Sequence, residues 1–97
     1  MNFSTKSISQ TGVGTSSLLK FENPTGDFRA LVAASVLTET ATYSIEYTLT
    51  PTADVWVPLL SEQTGAADVS LAFPVYALRI VVASGTGQVK ADVMYEV

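Results

Sequence analysis

The sequence predicts an all-β domain: a single antiparallel β-sandwich, jelly-roll or immunoglobulin-like, of about seven or eight short strands, with a small β-barrel as the alternative. Three observations predict it. Ala, Val, Thr and Ser make up 45 of the 97 residues, while Leu, Lys and Glu, which fill soluble helices, are sparse; that is a strand vocabulary. Apolar residues alternate with polar ones over several segments. Glycine is confined to turn-like segments between them: Thr-Gly recurs at Thr11-Gly12, Thr25-Gly26, Thr64-Gly65 and Thr86-Gly87, with Gly14 and Gly85 beside two of these pairs.

Residues 1–16, rich in Ser, Thr and Gly, read as an extended N-terminal arm with one loosely attached strand over residues 3–8, and residues 17–97 as the sandwich. Short strands are expected around residues 17–21, 55–60 and 67–73. "DFRALVAASVLT" and "VYALRIVVA" are apolar on both faces, which suits central strands or a surface that another protein covers. Ala and Leu favour a helix for the first, but its Pro-Thr-Gly-Asp start and β-branched positions favour a strand. In "TYSIEYTL", Tyr43, Ile45, Tyr47 and Leu49 share one face and Thr42, Ser44, Glu46 and Thr48 the other, the signature of a half-buried strand. Pro51 and Pro58 flank the Trp56 segment and make it an edge or bulged strand.

Phe73-Pro74 begins the next strand, because proline pushes the residue before it to an extended conformation. Tyr76, Leu78, Ile80 and Val82 form its core stripe, leaving Arg79 on the other face among Ala77, Val81 and Ala83. "GTGQ" reads as a hairpin turn. "QVKADVMYEV" closes the domain with Val89, Ala91, Val93, Tyr95 and Val97 inward and Gln88, Lys90, Asp92 and Glu96 outward.

A chain of 97 residues forms one domain with one modest core. With no Cys and no His, disulfides, zinc sites and imidazole bases are absent, and the missing disulfides favour a cytoplasmic product. "MNFSTKSISQ" has neither the basic start nor the apolar run of a signal peptide. The net charge of −4 and the scattered basic residues Lys6, Lys20, Arg29, Arg79 and Lys90 predict no nucleic-acid or membrane partner.

Catalytic machinery is equally sparse. A carboxylate pair for glycoside hydrolysis requires Glu46 and Asp92 on neighbouring strands across a cleft. The hydroxyls lack an activating base, and "TGVGTS" lacks the lysine and helix of a phosphate loop. Asp27 and Asp68 are not spaced for calcium. The expectation is no enzyme, no cofactor, no metal and no small-molecule substrate. Tyr43, Tyr47, Trp56 and Tyr76 form the candidate platform for a carbohydrate-binding alternative, with Tyr43 and Tyr47 read first as core. The candidate partner contacts are Phe3 and Ile8 on the arm, Trp56 beside its prolines, and Arg79, whose guanidinium in an apolar strand needs water, a carboxylate or another subunit.

"YSIEYTLTP", Trp56 in "VWVPL", "FPVYALRIVV" and "GTGQVKADVMY" together resemble the small β-sandwich structural proteins encoded among the virion genes of tailed bacteriophages, over residues 43–97. The resemblance implies a non-enzymatic virion component, made in the host cytoplasm and residing on the capsid surface. It implies a decoration or cement protein that binds the major capsid protein and copies of itself, as a dimer or trimer. A tail or head-to-tail junction protein is the alternative within that class.

Overall fold

The computed structural model describes residues 3–21, 29–50, 52, 54–72 and 74–96. Thr25-Gly26, Asp27, Pro51, Phe73 and Val97 lie outside the described residues. Among those described there is no helix, and the strands are β1 (Phe3–Thr11), β2 (Gly14–Thr15), β3 (Leu19–Lys20), β4 (Ala30–Thr38), β5 (Ala41–Thr48), β6 (Val57–Gln63), β7 (Ala67–Leu71), β8 (Ala77–Gly85) and β9 (Gln88–Glu96).

They form two sheets, and every pairing is antiparallel. Sheet A is ordered β1-β9-β4-β7; in sheet B, β8 lies between β5 and the pair β2 and β3, with β6 beyond β5. No ladder joins the two sheets among the described residues, so the fold is a sandwich and not the alternative barrel. The doubly apolar segments are central, β4 between β9 and β7 and β8 between β5 and the short strands. β6, the segment around Pro58, is an edge strand whose pairing with β5 is broken by register shifts, as its prolines predict.

β2 and β3 are one interrupted track along β8. At the interruption, buried Ser16 bonds through its N–H to Ile80 O (2.9 Å), and its Oγ accepts Ile80 N–H (2.9 Å) while donating to Ser17 O (2.8 Å). A serine hydroxyl stands where a backbone carbonyl would complete the ladder. With β2 and β3 counted together, the chain changes sheet at every link except β5–β6, the only sequence-adjacent strands that pair among the described residues. Such alternation is the double Greek key of a jelly roll.

The Thr-Gly pairs within the described residues mark sheet-changing corners. "GTGQ" is therefore not the hairpin turn its sequence predicts: it joins β8 of one sheet to β9 of the other. Corner residues are hydrogen-bonded in series, Gly12 N–H to Gly87 O (3.1 Å) and Gly87 N–H to Thr40 O (2.9 Å), which links the β1–β2, β8–β9 and β4–β5 corners. Glycine is required here. Gly85 has φ +98°, and a methyl group on Gly85 or Gly87 would overlap the Thr40 backbone.

Val32, Val89 and Val93 of sheet A meet Tyr43, Ile45, Leu78, Ile80 and Val82 of sheet B in the core, each such burial contributing about 1.5–3 kcal/mol. Tyr43 is buried and donates its hydroxyl to Gly65 O in the β6–β7 corner (2.6 Å), and burial raises its pKa. Tyr47 packs half-buried on the core, but Leu49, expected on the same face, is exposed because β5 ends at Thr48.

Residues 3–11 of the expected arm pair with β9 at every position, so the strand expected over residues 3–8 extends to Thr11 and forms a sheet edge. None of its side chains is buried. Lys6 reaches across to sheet B, donating to Lys20 O (2.7 Å), with its ammonium 5.7 Å from the centroid of the Tyr95 ring. Phe21 meets Tyr95 edge-on at 5.3 Å, so this side of the sandwich is closed by a cation and two rings.

Gly85→Ala is expected to lower stability in urea by about 2–4 kcal/mol, through a strained backbone and overlap with Thr40. Gly65→Ala, which points into open space, should remain within about 0.5 kcal/mol of the parent. Tyr43→Phe should cost about 1 kcal/mol at neutral pH. Because burial favours the protonated phenol, the unfolded chain loses this proton first, near pH 10. Tyr43 therefore contributes stability below that pH which is lost as pH rises through the higher folded value. Denaturant titrations from pH 8 to 11 should show a steeper alkaline decline in the parent than in Tyr43→Phe; parallel curves would contradict the assignment.

Candidate interaction surfaces

Each sheet has an outer face, and the two are built differently. On sheet B, Glu46 of β5 lies directly opposite Arg79 of β8. Both point away from the core because Ile45 and Ile80, their neighbours, point into it. Arg79 Nε donates to Glu46 Oε1 (2.8 Å), and Nη2 lies 2.7 Å from the same oxygen. The guanidinium carbon sits 4.0 Å from the centroid of the Trp56 ring. Arg79 thus meets a carboxylate of its own chain and stacks against an indole.

With 26% and 20% of these side chains exposed, solvent screens the ion pair, and its contribution is about 0.2–1 kcal/mol. The stacked indole contributes about 0.5–2 kcal/mol more. Farther along the strands, Thr48 and Ala77 are also paired but are buried, and Thr48 Oγ1 has no hydrogen-bond partner. This end of the face is covered at the expense of a hydroxyl.

The outer face of sheet A is open. Its register places Thr5, Met94, Leu31 and Ser70 in one row across the strands, and Ser7, Asp92, Ala33 and Asp68 in the next. Phe3, Leu31, Leu37 and Met94 are all exposed there, Phe3 by 56% and Leu37 by 54%. A hollow of about 240 Å³ is lined in part by Phe3, Leu31 and Met94, and a second of about 380 Å³ by Ser35, Leu37, Lys90 and Asp92. Lys90 and Asp92 approach within 3.7 Å.

The four expected contact residues do not form one surface. Trp56 and Arg79 come together on sheet B, Phe3 lies on sheet A, and Ile8 turns inward and packs half-buried on the core. Ile8 belongs to the sandwich because its position on β1 shares the face of Lys6 and Gln10. Leu31, Leu37 and Met94 were not singled out in sequence, although the two-faced hydrophobicity of β4 signals the first two. Glu46 and Asp92 sit on different sheets, so the carboxylate pair on neighbouring strands does not form. Among the described residues, no three His, Cys, Asp or Glu side chains are grouped to hold a metal ion. Of the four aromatic residues of the carbohydrate alternative, Tyr43 is core, Tyr47 packs on it, Trp56 carries the Arg79 guanidinium, and Tyr76 is half-buried.

No protein-family model and no curated protein sequence matches the chain. Solved structures do share the fold. The Bacillus endospore appendage pilus structure is similar at TM-score 0.58 and 15% identity, over 99% of this chain and 88% of that one. The SPBc2 prophage-derived protein YomS is similar at TM-score 0.54 and 14% identity, over 98% of this chain and 95% of that one. The Drosophila NLP core, described in terms of pentamer formation and histone binding, is similar at TM-score 0.58 and 15% identity, over 96% and 95%.

A double-mutant cycle on Glu46→Gln and Arg79→Gln is expected to give a coupling of about 0.2–1 kcal/mol that shrinks in 1 M salt. Trp56→Ala should lower stability more than Glu46→Gln, because it removes both stacking and packing. An Arg79 variant indistinguishable from the parent in urea would show that the stack contributes nothing.

Proposed function

We propose that this chain is a structural protein of a tailed-bacteriophage virion, a capsid decoration or cement subunit that binds the major capsid protein on the assembled shell, and copies of itself. The observation that carries the proposal is the whole-length fold likeness to a prophage-derived protein. The strand pattern of residues 43–97, which resembles that of small phage virion proteins, supports the same reading. In this reading the protein is not an enzyme, and its working parts are its two outer faces. Phe3 on one and the Trp56–Arg79 stack on the other are its candidate contacts.

The mechanism is linkage. A subunit that binds the assembled shell and not the free capsid protein stabilises the shell by about 2.7 kcal/mol per site when its free concentration is a hundred times Kd. Self-association multiplies the effect through avidity. A self-associating β-sandwich has precedent in the NLP core, whose structure is described in terms of pentamer formation.

The test is to add purified protein to isolated shells that lack it, prepared from the phage that encodes it. Saturable co-sedimentation with heads, and a higher temperature of shell disruption, are expected. Co-sedimentation with tails alone would replace the cement role with a tail or junction role. Binding to neither would remove the virion reading.

A further inference from the structure

We propose that two copies of this chain pair face to face through the outer surface of sheet A, about a two-fold axis crossing the strands between the row of Ala33 and Asp92 and the row of Ser35 and Lys90. The proposal deepens the self-association in the function proposed above and rests on that reading for its place in a virion, but it is tested on the isolated protein.

The face suits sheet-on-sheet packing. Around its centre the outward positions of β1 and β4 are small, with Ser7 and Ser9 on β1 and Ala33 and Ser35 on β4, flanking Lys90 and Asp92 of β9. A second sheet can therefore approach over β1 and β4, with the β9 charges meeting across the contact. Toward the ends stand Leu31 and Met94 on one side and Leu37 on the other, all exposed. A soluble surface rarely groups large apolar side chains in this way unless something covers them.

Charge selects the axis. Asp92 and Lys90 are successive outward residues of β9. A two-fold axis crossing the strands midway between them lays β9 antiparallel over the partner copy's β9, so that each Lys90 meets the other copy's Asp92. An axis along the strands would instead put Asp92 opposite Ala33 and Lys90 opposite Ser35, covering both charges with no partner beyond their own 3.7 Å intrachain contact. The first arrangement also matches shape. In sequence, Leu31 and Leu37 stand equally to either side of Ala34, with a β-bulge at Leu37, so the leucine beside one hollow faces the other copy's hollow beside Leu37. Asp68, exposed on the edge strand β7, stands at the rim of the contact, where water reaches it. The contact is isologous and closes after two copies.

Size fits a reversible dimer. Strands about 30 Å long at about 4.8 Å spacing give a face of about 500 Å². Two copies then bury about 1,000 Å², the lower bound for a specific interface. The dissociation constant is expected on the order of 10 µM, as for small, transient interfaces.

Sedimentation velocity of the isolated protein from 1 µM to 1 mM tests the pairing. The mass should rise with concentration from 10.3 kDa to twice that value. Lys90→Asp and Asp92→Lys, each setting like charges against each other, should each weaken association on the order of a hundredfold. The double variant K90D/D92K restores the opposite pairs and should return to within about threefold of the parent. These outward positions are not core, and circular dichroism identifies any variant that fails to fold. Leu31→Lys, which leaves both charges in place, provides an independent disruption.

A monomer at 1 mM, a trimer, or a dimer indifferent to both single charge changes and to Leu31→Lys would overturn the proposal. Single variants that dissociate without rescue in the double would overturn the axis. Shell binding by a protein that stays monomeric would defeat the pairing alone. A dimer that binds no phage particle would leave the pairing in place and defeat the virion role.

Discussion

The architecture depends on three chain corners meeting at one end of the sandwich. Gly12, Gly87 and Thr40 come from three different sheet-changing links, and two backbone hydrogen bonds tie them into one row. The bonds form only if the corners approach more closely than a side chain on Gly85 or Gly87 would allow. Everything outward follows from that approach. It bears on the lateral position of β8 and β5 against β9 of the facing sheet, and so on which side chains meet between the sheets. Tyr43 extends the constraint by donating from the core to the neighbouring β6–β7 corner.

With the inner faces committed to the core, the outer faces are free to differ. Sheet B uses its surface on itself: a cross-strand ion pair, an indole stacked on the guanidinium, and a buried hydroxyl with no partner. Sheet A leaves small polar residues and exposed leucines on a broad plane. The same contrast guards against the wrong association. β1 and β6 are sheet edges, and both carry devices that discourage strand addition: Lys6 directed into the sandwich on one, Pro58 and broken register on the other. At these two edges, strand addition is thereby discouraged.

Much of this was legible in the sequence where a local pattern has one physical outcome. Alternation identified Tyr43 and Ile45 of β5 and Val89, Ala91 and Val93 of β9 as buried, though not Thr48, and one of the two readings of the doubly apolar β4 and β8 was that they are central. Pro58 demanded an edge. The reading failed where one local chemistry serves two geometries. A Thr-Gly pair turns a hairpin and a sheet-changing corner equally well, so "GTGQ" could not reveal that its flanking strands part company. Arg79 announced that it needed a partner but not which one, because Glu46 becomes its neighbour only once the β5–β8 register is known. Ile8 sat in a segment of such low hydrophobicity that an edge strand looked like a free arm. Leu31 and Leu37 lay in a run that fitted a central strand as well as a covered surface, so the pattern signalled them without separating exposed from buried leucines.

The position of β9 carries a consequence for how the protein is made. It lies between β1 and β4, and Phe3 waits for Glu96 as its Cα partner. While the chain is being synthesised, the first strand has nothing to pair with, and β4 has a vacant flank until β9 arrives. Sheet A therefore cannot be completed until β9 is inserted between β1 and β4, strands far from it in the chain. Until that insertion β4 lacks one neighbour, and the surface that β9 completes is unfinished.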